Sequence, residues 1–164
     1  MNGGLPERLD PREAARTGVA HAGLLEPEIL TRLADLVGGF DGAVRVHVTC
    51  RTDEEGRVVV EVRVGARVRT TCQRCLEPMV LELDTAGVLG VIACEADATG
   101  LPDHYEPLEL PHGQAVPVAQ LAEDELLLAL PAHPRHNPRD CAGPAVAGAG
   151  RAPGPFAALK VLKS

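Results

Sequence analysis

The chain has 164 residues, 45% of them apolar, which supports one hydrophobic core and leaves little for a second. Tryptophan is absent and the only aromatics are Phe40, Tyr105 and Phe156, so Val, Leu and Ala must fill the interior and stacking of RNA bases on aromatic rings is largely excluded. The net charge of −7 is unevenly spread: Val44 to Cys75 holds seven Arg and four acids, whereas Leu76 to Pro134 holds eleven acids and no Lys or Arg.

Met1 to Arg8 lacks a basic segment followed by an apolar one, and no stretch approaches the roughly 20 apolar residues of a membrane span. The expectation is a soluble, cytoplasmic protein without a membrane partner. Five cysteines is an odd number, and in that compartment reduced thiols or metal ligands are favoured over a disulfide framework.

In chain order, Leu5 to Leu9 reads as a short strand. Asp10-Pro11 supplies an N-cap and a proline at the first helical position for a helix over Pro11 to Arg16. Pro27 opens a second expected helix, with Ile29, Leu30, Leu33, Leu36 and Val37 on one face and Gly38-Gly39 at its end. The period then changes to two. Val44, Val46, Val48 and Cys50 alternate with Arg45, His47, Thr49 and Arg51, a turn follows at Asp53-Glu54-Glu55-Gly56, and Val58, Val60, Val62, Val64, Ala66 and Val68 continue the alternation. This predicts a hairpin with a valine face inward, and Gly65 is expected to mark a bulge or bend that curls its second strand.

Met79 to Leu83 and Gly87 to Cys94 are two further strand candidates, giving a sheet of about four strands. Glu95 to Leu110 reads as a polar loop. After Pro117 a leucine-rich helix is expected to about Leu130, its end buried, with Glu123-Asp124-Glu125 near its start complementing the helix dipole. The fold class is therefore α+β: a curled antiparallel sheet with helices packed on one face, in a single domain over residues 1–141. Residues 142–154 read as a flexible Ala/Gly/Pro linker, and residues 155–164 as a short amphipathic segment, together a flexible C-terminal tail.

Two segments carry candidate chemistry. Cys72 and Cys75 have the two-residue gap that lets both thiolates face one tetrahedral ion, and His136 and Cys141 could complete a Cys3His set suited to one zinc ion. The bland alternative is reduced core or surface thiols. A redox dithiol is the third reading, but Leu76-Glu77-Pro78 follows the pair where a reactive cysteine would want a helix N-terminus. The charged side of the hairpin offers Arg45, Arg51, Arg57, Arg63, Arg67 and Arg69, followed by Arg74, as candidate RNA-binding residues, since guanidinium groups pair well with phosphate oxygens. A solvated sheet face is the competing reading. No phosphate loop, nucleophile elbow or metalloprotease histidine pair occurs, so no enzyme is expected.

Laid in order, these segments resemble the YceD family, bacterial proteins associated with accumulation of large-subunit ribosomal RNA. The resemblance is carried by Leu9-Asp10-Pro11, by Cys72-Gln73-Arg74-Cys75-Leu76-Glu77-Pro78 and by Tyr105-Glu106-Pro107-Leu108-Glu109. It continues through Glu123-Asp124-Glu125-Leu126-Leu127-Leu128-Ala129-Leu130-Pro131, His136 to Cys141 and Pro155-Phe156-Ala157-Ala158-Leu159. It implies a non-enzymatic role in ribosome biogenesis, with large-subunit ribosomal RNA precursor or ribosomal proteins as partners. The family's paired cysteines fall on Cys72 and Cys75, and its later cysteine or histidine on His136 and Cys141. Some relatives continue with further cysteines after Asp140-Cys141-Ala142-Gly143; here Pro144 to Gly148 has none. The alternative function is an acidic protein-binding adaptor without direct RNA contact.

Overall fold

The computed structural model describes residues 2–141; the linker and terminal segment expected at 142–154 and 155–164 lie outside the described residues. Asp10 caps the first helix as its spacing requires: its carboxylate accepts from the amides of Arg12 (2.9 Å) and Glu13 (3.3 Å). The helix, α1, runs Pro11–Thr17 and ends at Gly18, whose φ of 65° is the left-handed conformation that glycine adopts without a steric penalty. Before α1 stand two short strands, β1 (Asn2–Gly3) and β2 (Arg8–Leu9), and after it β3 (Ala20–Leu25).

The expected hairpin is β4 (Val44–Thr52) and β5 (Val58–Thr71). The next strand, β6, is one continuous element from Pro78 to Ile92 rather than two. The break expected near residue 85 does not occur because β5 pairs without interruption across it, with Gly65↔Asp84, Val64↔Thr85 and Arg63↔Ala86; on the inner face Gly87, without a Cβ, leaves space that the Glu125 carboxylate fills. Strand β7 (Glu106–Glu109) lies within the expected loop, β8 is Val116–Pro117, and α3 is Val118–Ala129. The main sheet has six strands in the order β1-β3-β4-β5-β6-β7, and β2 pairs with β8 in a second sheet.

Three expectations are corrected. The sheet is open and mixed: β3 through β6 are antiparallel, but both edge pairs, β1 with β3 and β6 with β7, are parallel. Gly65 makes no bulge, since the β5–β6 register is unbroken from Val59↔Gly90 to Thr71↔Pro78. The second helix is only a 3-10 turn at Pro27–Ile29 and one α-turn, α2, at Thr31–Ala34. Leu30 between them has φ −93° and ψ 66°, which breaks the helical phase, so Leu30 and Leu33 are buried while Ile29 and Leu36 are exposed. The edge strands escape the sequence because they are set by pairing: β3 has little β-branched content, and Pro107 is tolerated only at an edge.

The core lies between the valine face and the helices. Val44, Val46, Val48, Val60, Val62, Val64 and Val68 meet Ala14 of α1 and Val118, Leu121, Ala122 and Leu126 of α3. The end of α3 is only partly buried, with Leu126 inside but Leu128 71% exposed. Outside this core, Val59 and Ile92 are buried on the opposite sheet face, where Leu101 covers Gly90.

The Glu123-Asp124-Glu125 run sits in the middle of α3, not at its start, so the dipole explanation fails. Glu123, almost fully buried, accepts from the Leu33 amide (3.1 Å) and from Arg32 Nε (2.8 Å). Arg32 also pairs with Asp124 at 2.7 Å, so α2 is clamped to α3 by charge as well as by Leu33. Glu125 turns the other way to Thr85 Oγ1 (3.3 Å) and the gap over Gly87. Burial, with Glu106 and Asp124 nearby, pushes its carboxyl above the usual carboxylate value, against the opposing Thr85 hydrogen bond.

Candidate metal centre

Strand β5 ends at Thr71 and β6 begins at Pro78, leaving Cys72 to Glu77 as a tight connection between two paired strands. The connection is closed by its own backbone: the Cys72 amide donates to Glu77 O and the Leu76 amide to Cys72 O, both at 2.9 Å. Leu76 takes φ 63°, uncommon for a residue with a side chain, within this tight connection.

The second half arrives from α3. Pro131 and Pro134 prevent the helix from continuing, and the chain runs back along the connection, where the Gln73 amide donates to Pro134 O at 2.8 Å. The His136 amide then donates to Cys72 Sγ at 3.4 Å. A turn follows in which Asn137 O accepts from the amides of Asp140 and Cys141, returning the last sulfur to the cluster.

All four ligand atoms lie within 4.8 Å of one another. Cys72 Sγ and Cys141 Sγ are 3.8 Å apart, and Cys75 Sγ and His136 Nδ1 are 3.3 Å apart. The sulfurs are thus far beyond the roughly 2.05 Å of a disulfide, and the cysteines are free thiols. Three thiols and an imidazole converging without a carboxylate make a group that could hold a metal ion of borderline softness.

The electrostatics agree. Burial opposes ionisation of Cys72, but the amides of Cys75, His136 and Arg74, with the Cys75 thiol, outweigh it and pull the Cys72 pKa down to about 5. Cys75 goes the other way: although the Glu77 amide favours its thiolate, burial and the sulfurs of Cys72 and Cys141 raise it. Without a cation the cluster therefore concentrates its negative charge on Cys72, and a cation at the centre would remove the penalty for ionising the others.

The seven arginines are not brought together into one site. Arg51 pairs with Glu61 at 2.8 Å. Arg57 is held by Asp53 and Glu55, both at 2.7 Å, and its guanidinium lies 5.8 Å from the Tyr105 ring centroid. Arg67 pairs with Asp41 at 3.1 Å and with Glu82 at 3.6 Å. Arg69 lies against Gly39, and Arg74 is exposed in the cysteine connection. Among the described residues, Arg45, Arg63, Arg69 and Arg74 have no carboxylate within ion-pair distance. The bracing contacts Arg32–Glu123 and Glu125 over Gly87 join positions tens of residues apart, and no local spacing signals them.

The fold and site define a class: a small α+β protein whose strand connection and post-helical segment close a Cys3His cluster. Residues 60–163 match the family described as "Large ribosomal RNA subunit accumulation protein YceD". The protein of that name from Haemophilus influenzae is 32% identical over 167 residues, covering 97% of this chain and 96% of the relative. No solved structure matches the chain. The chain belongs to the YceD family. No helix among the described residues is long and apolar enough to cross a membrane.

Proposed function

We propose that this protein is a non-enzymatic ribosome biogenesis factor that supports accumulation of large-subunit ribosomal RNA. The observation that carries the reading is the match to a relative bearing that function in its name across nearly the whole of both chains.

The Cys3His cluster holds one zinc ion in this account. Tetrahedral zinc with thiolate bonds of about 2.3 Å places its sulfurs about 3.8 Å apart, the Cys72–Cys141 separation found here. The metal would tie the end of β5 to the segment beyond α3 and so act as a structural clamp, with all four positions taken by protein.

The test is a pull-down of tagged full-length protein from its own bacterium at moderate salt, with and without nuclease, together with ribosomal RNA quantification in a deletion strain. Enriched large-subunit precursor RNA, and a deficit of that RNA in the deletion strain, are expected. Normal ribosomal RNA in the deletion strain would overturn the reading. Protein partners that survive nuclease without ribosomal RNA would favour the adaptor. That second reading draws on the acids of the Leu76 to Pro134 stretch that the fold leaves exposed, among them Glu77, Glu82, Asp84, Glu106 and Glu109.

A further inference from the structure

The outer face of the sheet has one place where uncommitted cations stand around a hollow. Strand register fixes it: Arg45 on β4 lies opposite Gly65 on β5, which lies opposite Asp84 on β6. In the next row His47 lies opposite Arg63, which lies opposite Ala86. Because side chains alternate across a strand, Arg45, His47 and Arg63 project from the same face. The Arg45 guanidinium folds over Gly65 so closely that a Cβ there would lie 2.6 Å from its Nη2.

The missing side chain at Gly65 opens a hollow of about 280 Å³ lined by Arg45, His47, Arg63 and Asp84, and a second depression continues past His47 and Arg63 to Thr49 and Glu61. Arg51, Arg57 and Arg67 are occupied by carboxylates, whereas Arg45 and Arg63 are exposed and, among the described residues, unpaired.

We propose that this hollow binds the phosphodiester backbone of RNA, with Arg45 and Arg63 donating to phosphate oxygens and His47 adding a ring N–H. The proposal rests on the function proposed above and narrows it from an arginine row to one subsite. Paired guanidinium groups match phosphate oxygens, and the hollow's open, elongated shape suits a chain better than a small ion, which would be enclosed. No aromatic ring lines either depression, so bases gain no stacking surface and contact is with the backbone, independent of sequence. Asp84, at the far edge, weakens the site and sets its limit.

The test is titration of full-length protein into a short labelled oligouridylate at several salt concentrations. Gly65→Thr changes no formal charge but fills the hollow and displaces the Arg45 guanidinium that lies over Gly65; the site is a paired strand position without a positive φ, which Thr accepts. About tenfold weaker binding is expected. Arg45→Gln with Arg63→Gln should also reduce the slope of log affinity against log salt by about 1.4, the contribution of two single-strand phosphate contacts. Asp84→Asn should tighten binding about two- to fivefold, the scale of one exposed charge interaction. Arg51→Gln, whose guanidinium is already paired with Glu61, should leave it unchanged.

Equal losses for Arg45, Arg51 and Arg63 variants, with none for Gly65→Thr, would mean diffuse attraction and overturn the subsite. Should Gly65→Thr fail to fold by circular dichroism, the contrast between Arg63→Gln and Arg51→Gln decides. Nuclease-resistant capture of an acidic protein that depends on Arg45 and Arg63 would assign the hollow to a protein ligand and overturn the proposal. Normal ribosomal RNA in cells carrying the Arg45, Arg63 double variant, against a deficit in the deletion strain, would remove the subsite and leave the family function standing.

Discussion

The cysteine cluster and the outer sheet face gather residues in opposite ways. At the cluster, Cys72 and Cys141, far apart in sequence, come within 3.8 Å because a closed strand connection and a proline-stopped helix leave the backbone little choice. On the sheet face, arginines that alternate regularly along one hairpin are separated into different roles by carboxylates of the facing strands and of the hairpin turn. Glu61, Asp53 and Glu82 engage three of them, while Gly65 opens space beside two others. Ligand chemistry survives the step from sequence to structure better than charge pattern. A tetrahedral donor set must converge to act, whereas a surface cation can be neutralised by any carboxylate the fold brings past.

The largest effect should come from breaking the convergent side. Chelation of the purified protein, or Cys72→Ser, should lower the free energy of unfolding by about 3 to 4 kcal/mol where free zinc stands 100 to 1,000 times above its dissociation constant. Urea unfolding with and without chelator reads this, and an unchanged midpoint would separate the cluster from folding. Glu123→Ala comes next. It leaves the Leu33 amide without its acceptor and Arg32 without a buried partner, so a loss of about 2 kcal/mol is expected by the same method.

Glu125 sharpens the comparison through pH. Its pKa is raised in the folded protein, so the folded state binds the proton more tightly than the unfolded chain. Its contribution is therefore fully present below the ordinary carboxylate pKa and is lost as pH rises through the raised value. Glu125→Gln should flatten that part of the stability profile. A profile with the wild-type slope would show that Glu125 is not the group responsible. The smallest effect belongs to the outer face: Arg51→Ala should change stability by at most about 1 kcal/mol, because its partner Glu61 is itself exposed to solvent.

Much of this was legible in the sequence, and the rest has definable reasons. Asp10-Pro11 gave α1 because capping is local, and the alternation from Val44 to Val68 gave the hairpin because one face is buried. For Cys72, Cys75, His136 and Cys141 the sequence offered ligand types and one two-residue gap, but that the two segments abut, with their ligand atoms within 4.8 Å, is a property of the fold. The parallel edges were not, since β1, β3 and β7 owe their extended conformation to the strands beside them. Nor was the length of β6, because its middle, Asp84 to Ala86, is held extended by pairing with β5. The division of the arginines was hidden for the same reason: Asp41 and Glu82 meet Arg67 only across the fold.

The most direct test of the account is metal analysis of the purified full-length protein by mass spectrometry, for the wild type and for Cys72→Ser and Cys141→Ser. The account predicts about one zinc per wild-type chain and none in either variant. Wild-type protein that is stably folded and free of metal would contradict it, returning Cys72, Cys75, His136 and Cys141 to the status of packed thiols beside a loop histidine.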